Sequence, residues 1–119
     1  MARILVIEAD ELVRSVIRRV LGRAGHEVEA AASATALWRL SPEEGAAFDL
    51  LIVDARALED SFPAGLRRLR EHQARLPVIL LSAGPLPAPL RAEDGVPLLR
   101  KPFRAEDLVA MVERRLLSE

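Results

Sequence analysis

Short apolar segments alternate with amphipathic helical patterns along the chain, and this alternation constrains the fold more than any other feature of the sequence. The apolar segments have the length and the β-branched content of strands. We predict five strands, at residues 3–7, 27–31, 49–54, 77–82 and 96–99. Strands that are separated by helices pair in parallel, and strands this apolar are covered on both faces. The predicted fold class is therefore α/β, a single doubly wound five-stranded parallel sheet with helices on both faces.

Helical patterns fill the intervals between the strands. Residues 11–24 carry two apolar ridges with a spacing of four, and Gly25 is placed to end this helix. The ridges consist of Leu12, Val16 and Val20, and of Val13, Ile17 and Leu21. Further helices are predicted from Ser33 to Pro42 or Gly45, from Ser61 and Pro63 onward, and over residues 104–117.

The interval between the fourth and fifth strands breaks this pattern. Pro85, Pro87 and Pro89 occupy every second position of its first part, within the segment AGPLPAPLRAEDGVP at residues 83–97. Proline lacks the backbone N–H that a helix uses, and it disfavours helical backbone in the residue before it. The helix expected here is therefore degraded to at most one turn around residues 90–93.

Composition excludes several classes of function. The 119 residues, half of them hydrophobic, suit one domain at residues 1–119. A net charge of −1, with only one tryptophan and three phenylalanines, argues against nucleic-acid binding. No apolar run is long enough to span a membrane. The absence of cysteine excludes disulfides and cysteine-bound zinc, and it favours a cytoplasmic location.

Chemically active residues follow four of the predicted strands at their carboxyl ends. Right-handed crossovers place these ends at one edge of a parallel sheet, where ligands of such folds bind. The residues are Glu8, Asp10 and Glu11 after the first strand, Asp54 at the end of the third, Ser82 and Ala83 at the end of the fourth, and Lys101 after the fifth. Since Lys101 is the only lysine among 17 basic residues, a compact ammonium is used there in place of a guanidinium.

These groups suit a phosphoryl group and a divalent cation. Clustered carboxylates favour Mg²⁺, and a carboxylate can attack phosphorus to give an acyl phosphate. Asp54 would be the nucleophile and Lys101 would pair with one phosphoryl oxygen, while the Ser82 hydroxyl and the Ala83 backbone N–H would hold another. Taken singly, each residue has an ordinary explanation as a turn residue, a helix cap or a solvated charge. Their convergence from distant positions favours a shared anion site.

At these residues the chain resembles the receiver domain of two-component response regulators. The resemblance runs through RILVIEADELVRSVIRRVLGRAGHEV, FDLLIVDARAL, LPVILLSAG and LLRKPF, in that order. It implies a flavodoxin-like fold with strand order 2-1-3-4-5 and a signalling module rather than an enzyme. Its partners would be a histidine kinase or a phosphotransfer protein, and a downstream protein.

The same resemblance implies roles for single residues. Asp54 would accept the phosphate, Lys101 would contact it from a chain held by a cis peptide before Pro102, and Ser82 would swing toward the phosphoryl group. The implied Mg²⁺ ligands are Glu8, Asp54 and the backbone carbonyl of Arg56, with Asp10 as a further candidate.

Two positions and one segment depart from the family pattern. Ala9 stands where the family has the second of two adjacent acids, which touches Mg²⁺, so we expect weakened metal binding. Leu98 replaces the aromatic residue that couples the phosphate to the outer surface. The degraded helix alters the surface through which many regulators dimerise, so we expect a monomer or a non-standard dimer. Leu86, Leu90 and Leu98 could form an apolar patch for another partner or simply cover the sheet.

Other functions remain as alternatives. A pseudo-receiver, which binds partners without phosphate, is favoured by Ala9 and Leu98. A flavin binder would need a hydroxyl- and glycine-rich loop where EADE stands, and a haloacid-dehalogenase-type phosphatase would need an aspartate where Arg56 stands. A histidine-based hydrolase is disfavoured because His26 and His72 lie away from the predicted edge. With no output domain in 119 residues, the chain would be a stand-alone regulator or a piece of a longer protein.

Overall fold

The computed structural model describes residues 1–58, 67, 68, 70–73, 76–84 and 96–117. In it, five parallel strands form one sheet with the order β2-β1-β3-β4-β5, which confirms the predicted fold class and strand order. The strands are β1 (Arg3–Ile7), β2 (Glu27–Ala31), β3 (Leu50–Asp54), β4 (Val78–Ser82) and β5 (Leu98–Arg100). The predicted strand boundaries are therefore correct to within two residues.

The core lies on both faces of the sheet because side chains alternate along each strand. Leu51 and Val53 of β3 pack into one hydrophobic cluster, whereas Leu50 and Ile52 pack into the other. β3 and β4 are buried along their whole length, but the edge strand β2 is only partly buried. This is the burial expected of a parallel sheet that is covered by helices on both sides.

Helix α1 (Glu11–Arg23) begins at an Asp10 cap and is followed by Gly25 with φ of 96°. Ile17 and Leu21 are fully buried against the sheet. The first apolar ridge is largely turned to solvent, since Leu12 is 78% exposed and Val16 is 44% exposed, and only its Val20 packs against the core. A core-facing stripe needs only part of a helix circumference, and the ridge that contains Ile17 already supplies it.

The single helix predicted from Ser33 is divided in two. The structure has α2 (Thr35–Trp38) and α3 (Pro42–Ala46). Ser41 and Glu44 form a capping box, in which each side chain accepts the backbone N–H of the other residue at 3.1 Å and 2.8 Å. Ser41 with Pro42 therefore begins a new helix, where the prediction used Pro42 only as an end.

The remaining described elements complete the two layers. A 3₁₀ turn (Ala55–Leu58) follows β3, and residues 67, 68 and 70–72 are helical. Helix α4 (Ala105–Leu117) buries Leu108 and Val112 against the same face of the sheet as α1. The degraded helix after β4, the helix start at Ser61 and the leucines at 86 and 90 lie outside the described residues. Within the described ranges, no helix has the length and apolar character needed to cross a membrane.

Candidate functional site

The carboxyl edge of the sheet collects the predicted residues, as the parallel topology requires. Asp54 ends β3 and lies in register with Leu81 of β4, while Ser82 lies in register with Arg100 of β5. The backbone N–H of Lys101 continues this ladder by donating to the Ser82 carbonyl oxygen at 2.8 Å. The peptide bond between Lys101 and Pro102 is cis, as the family resemblance implied.

Lys101 joins two carboxylates from different strands. Its Nζ donates to Oδ2 of Asp54 at 2.5 Å and also makes an ion pair with Oε1 of Glu8. Exposure of the side chains is 17% for Lys101, 7% for Asp54 and 1% for Glu8. Burial alone would lower the pKa of Lys101, but the hydrogen bonds and charges of Asp54 and Glu8 outweigh it and raise that pKa. The cluster therefore holds two carboxylates against one ammonium.

The second oxygen of each carboxylate accepts a hydrogen bond from its own loop. Oε2 of Glu8 accepts the Asp10 backbone N–H, and Oδ1 of Asp54 accepts the Arg56 backbone N–H, both at 2.9 Å. Oε1 of Glu8 is buried and, among the described residues, has the Lys101 ion pair but no hydrogen-bond partner. That oxygen thus retains capacity to accept a donor or bind a cation.

The loop between β1 and α1 is fixed by two residues. Oδ1 of Asp10 accepts the backbone N–H groups of Leu12 and Val13 at 2.9 Å and 3.2 Å, so this carboxylate is engaged as the cap of α1. Nη1 of Arg14 donates to the carbonyl oxygens of Glu8 and Ala9 at 2.9 Å and 3.4 Å. The sequence analysis did not identify this role of Arg14. The available signal was its position one helical turn after the Asp10 cap. Its guanidinium braces the loop that carries Glu8.

Ser82 lies at the same edge, but its hydroxyl is engaged locally. Its Oγ donates to the Gly84 carbonyl oxygen at 2.6 Å and accepts the Gly84 backbone N–H at 3.3 Å. Ser82 is buried, and Ala83 between these two residues is exposed. The hydroxyl would have to leave Gly84 before it could bond a ligand beside Asp54.

The donor set fits a divalent cation in part. Glu8 and Asp54 supply buried carboxylates with one excess negative charge over Lys101. Oε1 of Glu8, which is ion-paired with Lys101 but accepts no hydrogen bond among the described residues, is a candidate hard ligand. Ala9 has no side-chain oxygen to add. The described part of the chain holds no group of three or more acidic or histidine side chains arranged for a metal ion.

Comparisons with known proteins agree with this architecture. Residues 4–113 match the family model of the response regulator receiver domain. The chain is 35% identical over 121 residues to the DNA-binding transcriptional regulator NtrC of Azospirillum brasilense. It is 36% identical over 117 residues to the regulator of the same name from Bradyrhizobium sp. (strain RP501 Parasponia). These alignments cover 98% and 95% of the chain but 24% of each relative, so the chain spans about a quarter of their length.

A solved structure has the same fold over nearly the whole chain. The crystal structure of a response regulator receiver domain protein from Clostridium thermocellum superposes with a TM-score of 0.83 at 30% sequence identity. The match covers 98% of this chain and 95% of that one.

Proposed function

We propose that this chain, which belongs to the response regulator receiver domain family, accepts a phosphoryl group on Asp54 within a two-component phosphorelay. The donor would be the phosphohistidine of a histidine kinase or of a phosphotransfer protein. The observation that carries this proposal is the 2.5 Å contact between Nζ of Lys101 and Oδ2 of Asp54. It sets a compact cation beside the nucleophile, where the oxygens of a transferred phosphoryl group need one.

The transfer step uses groups already held at this edge. A carboxylate oxygen of Asp54 attacks phosphorus and forms a C–O–P bond, while the P–N bond of the donor breaks and its electron pair returns to the imidazole. Lys101 pairs with one phosphoryl oxygen. Ser82, once it leaves the Gly84 carbonyl, donates with the Ala83 N–H to another. The product is an acyl phosphate on Asp54.

Mg²⁺ fits the same edge, although weakly. Glu8, Asp54 and the backbone carbonyl of Arg56 would hold it, and when bound it would neutralise phosphoryl oxygens during the transfer. Ala9 removes one carboxylate from this set, and Asp10 is used in the helix cap. We therefore expect phosphoryl acceptance that needs a high Mg²⁺ concentration.

A pseudo-receiver is the second candidate. Three observations favour it: Ala9 has no metal ligand, Ser82 bonds to Gly84, and Leu98 packs against the core where the family has an aromatic switch residue. The buried contacts of Lys101 with Glu8 and Asp54 favour phosphoryl acceptance instead, since a module without phosphate has no need of this costly arrangement.

Labelling by a small phosphodonor separates the two candidates. We expect acetyl phosphate with excess Mg²⁺ to add one phosphoryl group to the wild-type protein, detected by intact mass, and to add none to Asp54→Asn. The matched control is Asp10→Ser, which removes another carboxylate of this edge but keeps a helix-capping side chain and should still be labelled. A wild-type protein that stays unlabelled at saturating Mg²⁺ would favour the pseudo-receiver.

A further inference from the structure

A cleft opens at the amino-terminal edge of the sheet, on the opposite side of the molecule from Asp54. Its volume is about 350 Å³, which is in the range of small-molecule sites. Residues that precede four different strands line it, together with the last turn of α4. They include Ala2, His26, Asp49, Pro77, Arg115 and Leu116. The parallel topology thus gathers polar groups at this edge as well, and none of them takes part in the proposed phosphoryl transfer.

His26 lines this cleft and carries a buried hydrogen-bond donor that has no acceptor among the described residues. The backbone N–H of Ala2 donates to Nδ1 of His26 at 3.1 Å, so Nδ1 acts as an acceptor. In the neutral ring the proton must then lie on Nε2. Nε2 is buried and has no hydrogen-bond partner among the described residues. A buried donor without a hydrogen-bond partner costs free energy, which a ligand that accepts from it could recover.

Arg115 also lines this cleft and carries a second buried donor. Its Nε is also buried and has no hydrogen-bond partner within the described part of the chain. The side chain is partly exposed on a flexible stem, so it can turn the Nε–H into the cleft as a ligand enters. The Nε–H of arginine and a terminal N–H form a fork that matches the two oxygens of a carboxylate.

We propose that this cleft binds a small monocarboxylate anion, held by the fork of Arg115 and by the Nε2–H of His26. Asp49 makes the cleft selective for the charge of the ligand. Its Oδ2 accepts the Arg3 backbone N–H at 2.8 Å, so this carboxylate is fixed at the cleft wall. A fixed negative charge opposes a dianion such as phosphate more than a monoanion. The site therefore favours a single carboxylate over a phosphoryl group, in contrast to the edge that carries Asp54.

The test is an NMR titration of the ¹⁵N-labelled chain with sodium acetate, with sodium chloride at matched ionic strength as the reference. We expect saturable shifts of the Arg115 Nε–H and His26 ring signals with acetate, and none with chloride. Arg115→Lys keeps the charge but removes the fork, so it should weaken acetate binding at least about tenfold. Asp54→Asn should bind acetate as the wild type does, which separates this site from the proposed phosphoacceptor.

Three results would overturn the proposal. In the wild-type protein, acetate shifts that rise linearly or equal those with chloride would show that no site exists. Unchanged acetate affinity in Arg115→Lys would show that the Arg115 guanidinium fork does not bind the carboxylate. Tighter binding of inorganic phosphate than of acetate at the same residues would contradict the selectivity assigned to Asp49.

Discussion

At the scale of single residues, Lys101 offers an unusually clean titration. The chain has no tyrosine, no cysteine and no other lysine, so Lys101 is the one side chain expected to titrate between about pH 9 and about pH 12. Its pKa is raised above 10.5 in the folded state, because Asp54 and Glu8 stabilise the ammonium by more than burial destabilises it. The stability that this lysine contributes is therefore complete below pH 10.5 and is lost as the pH rises through the higher folded value.

We predict that Lys101→Met lowers the free energy of unfolding by about 3 kcal/mol at neutral pH, because it leaves two buried carboxylates without their cation. The same variant should lack the alkaline loss of stability that the wild type shows. Urea unfolding measured from about pH 7 to about pH 11.5 checks both effects. Arg100→Met is the matched control, since it removes an exposed neighbouring charge and should leave the pH profile unchanged. If the free energy of unfolding depends on pH in the same way in Lys101→Met and in the wild type, the ion pairs of Lys101 do not contribute to stability.

Ala9 is the residue at which metal affinity can be changed most directly. It is exposed and lies between Glu8 and the capped start of α1, so a longer side chain can be accommodated. We predict that Ala9→Asp increases Mg²⁺ affinity about tenfold or more, equivalent to about 1.4 kcal/mol, by adding a third carboxylate. Isothermal titration calorimetry measures this. Ala9→Asn controls for side-chain size without charge. If Ala9→Asp binds Mg²⁺ no better than Ala9→Asn, the missing carboxylate at position 9 does not weaken metal binding.

At the scale of elements, the two glycines near the end of α1 should respond in opposite directions. Gly22 lies inside the helix, whereas Gly25 lies beyond it with φ of 96°, and neither has an atom within 4 Å of an added Cβ. We predict that Gly25→Ala destabilises the fold by about 1 kcal/mol and Gly22→Ala stabilises it by about 0.5–1 kcal/mol. Thermal unfolding of both variants is the measurement. Changes of the same sign would show that backbone conformation does not decide the effect.

The sequence predicted elements well where one strong signal governs them. The positions of β3 and β4 could be predicted because fully buried strands are continuously apolar. The end of α1 could be predicted because glycine adopts the positive φ at residue 25 without strain. The prediction failed where two signals competed. Pro42 can end one helix or begin the next, and only the reciprocal capping of Ser41 and Glu44 decides between these. Likewise, a spacing of four along α1 cannot say which of two adjacent ridges is buried.

At the scale of the whole molecule, the parallel topology made the site predictable in position but not in detail. Asp54 and Lys101 come together because both follow strands of one sheet, and this was accessible from the sequence. The hydrogen bond from the Asp10 N–H to Glu8 and the brace formed by Arg14 were not accessible. They depend on side-chain torsions within one loop, which no periodic pattern records. The unmet donors at the opposite edge escaped prediction for the same reason.

The exposed ridge of α1 follows from the same geometry. The Asp54 side chain is only 7% exposed, so under the proposed function a donor protein would have to bring its phosphohistidine close against the carboxyl edge and cover the surface around it. Leu12 and Val16 lie on α1 just after the loop that carries Glu8, and both present apolar surface to solvent. Apolar side chains at such a position suit a protein partner better than a small molecule.

We predict that Leu12→Ala slows phosphotransfer from a phosphorylated histidine kinase about tenfold, equivalent to about 1.4 kcal/mol of lost contact. Labelling by acetyl phosphate should not change, because the small donor makes no contact with this ridge. Leu117→Ala is the matched control: this leucine is 83% exposed, but it lies at the far end of α4, at the edge opposite Asp54. If both leucine variants slow the kinase reaction equally, the ridge of α1 is not the docking surface. If acetyl phosphate labelling falls with Leu12→Ala, the substitution has disturbed the site itself.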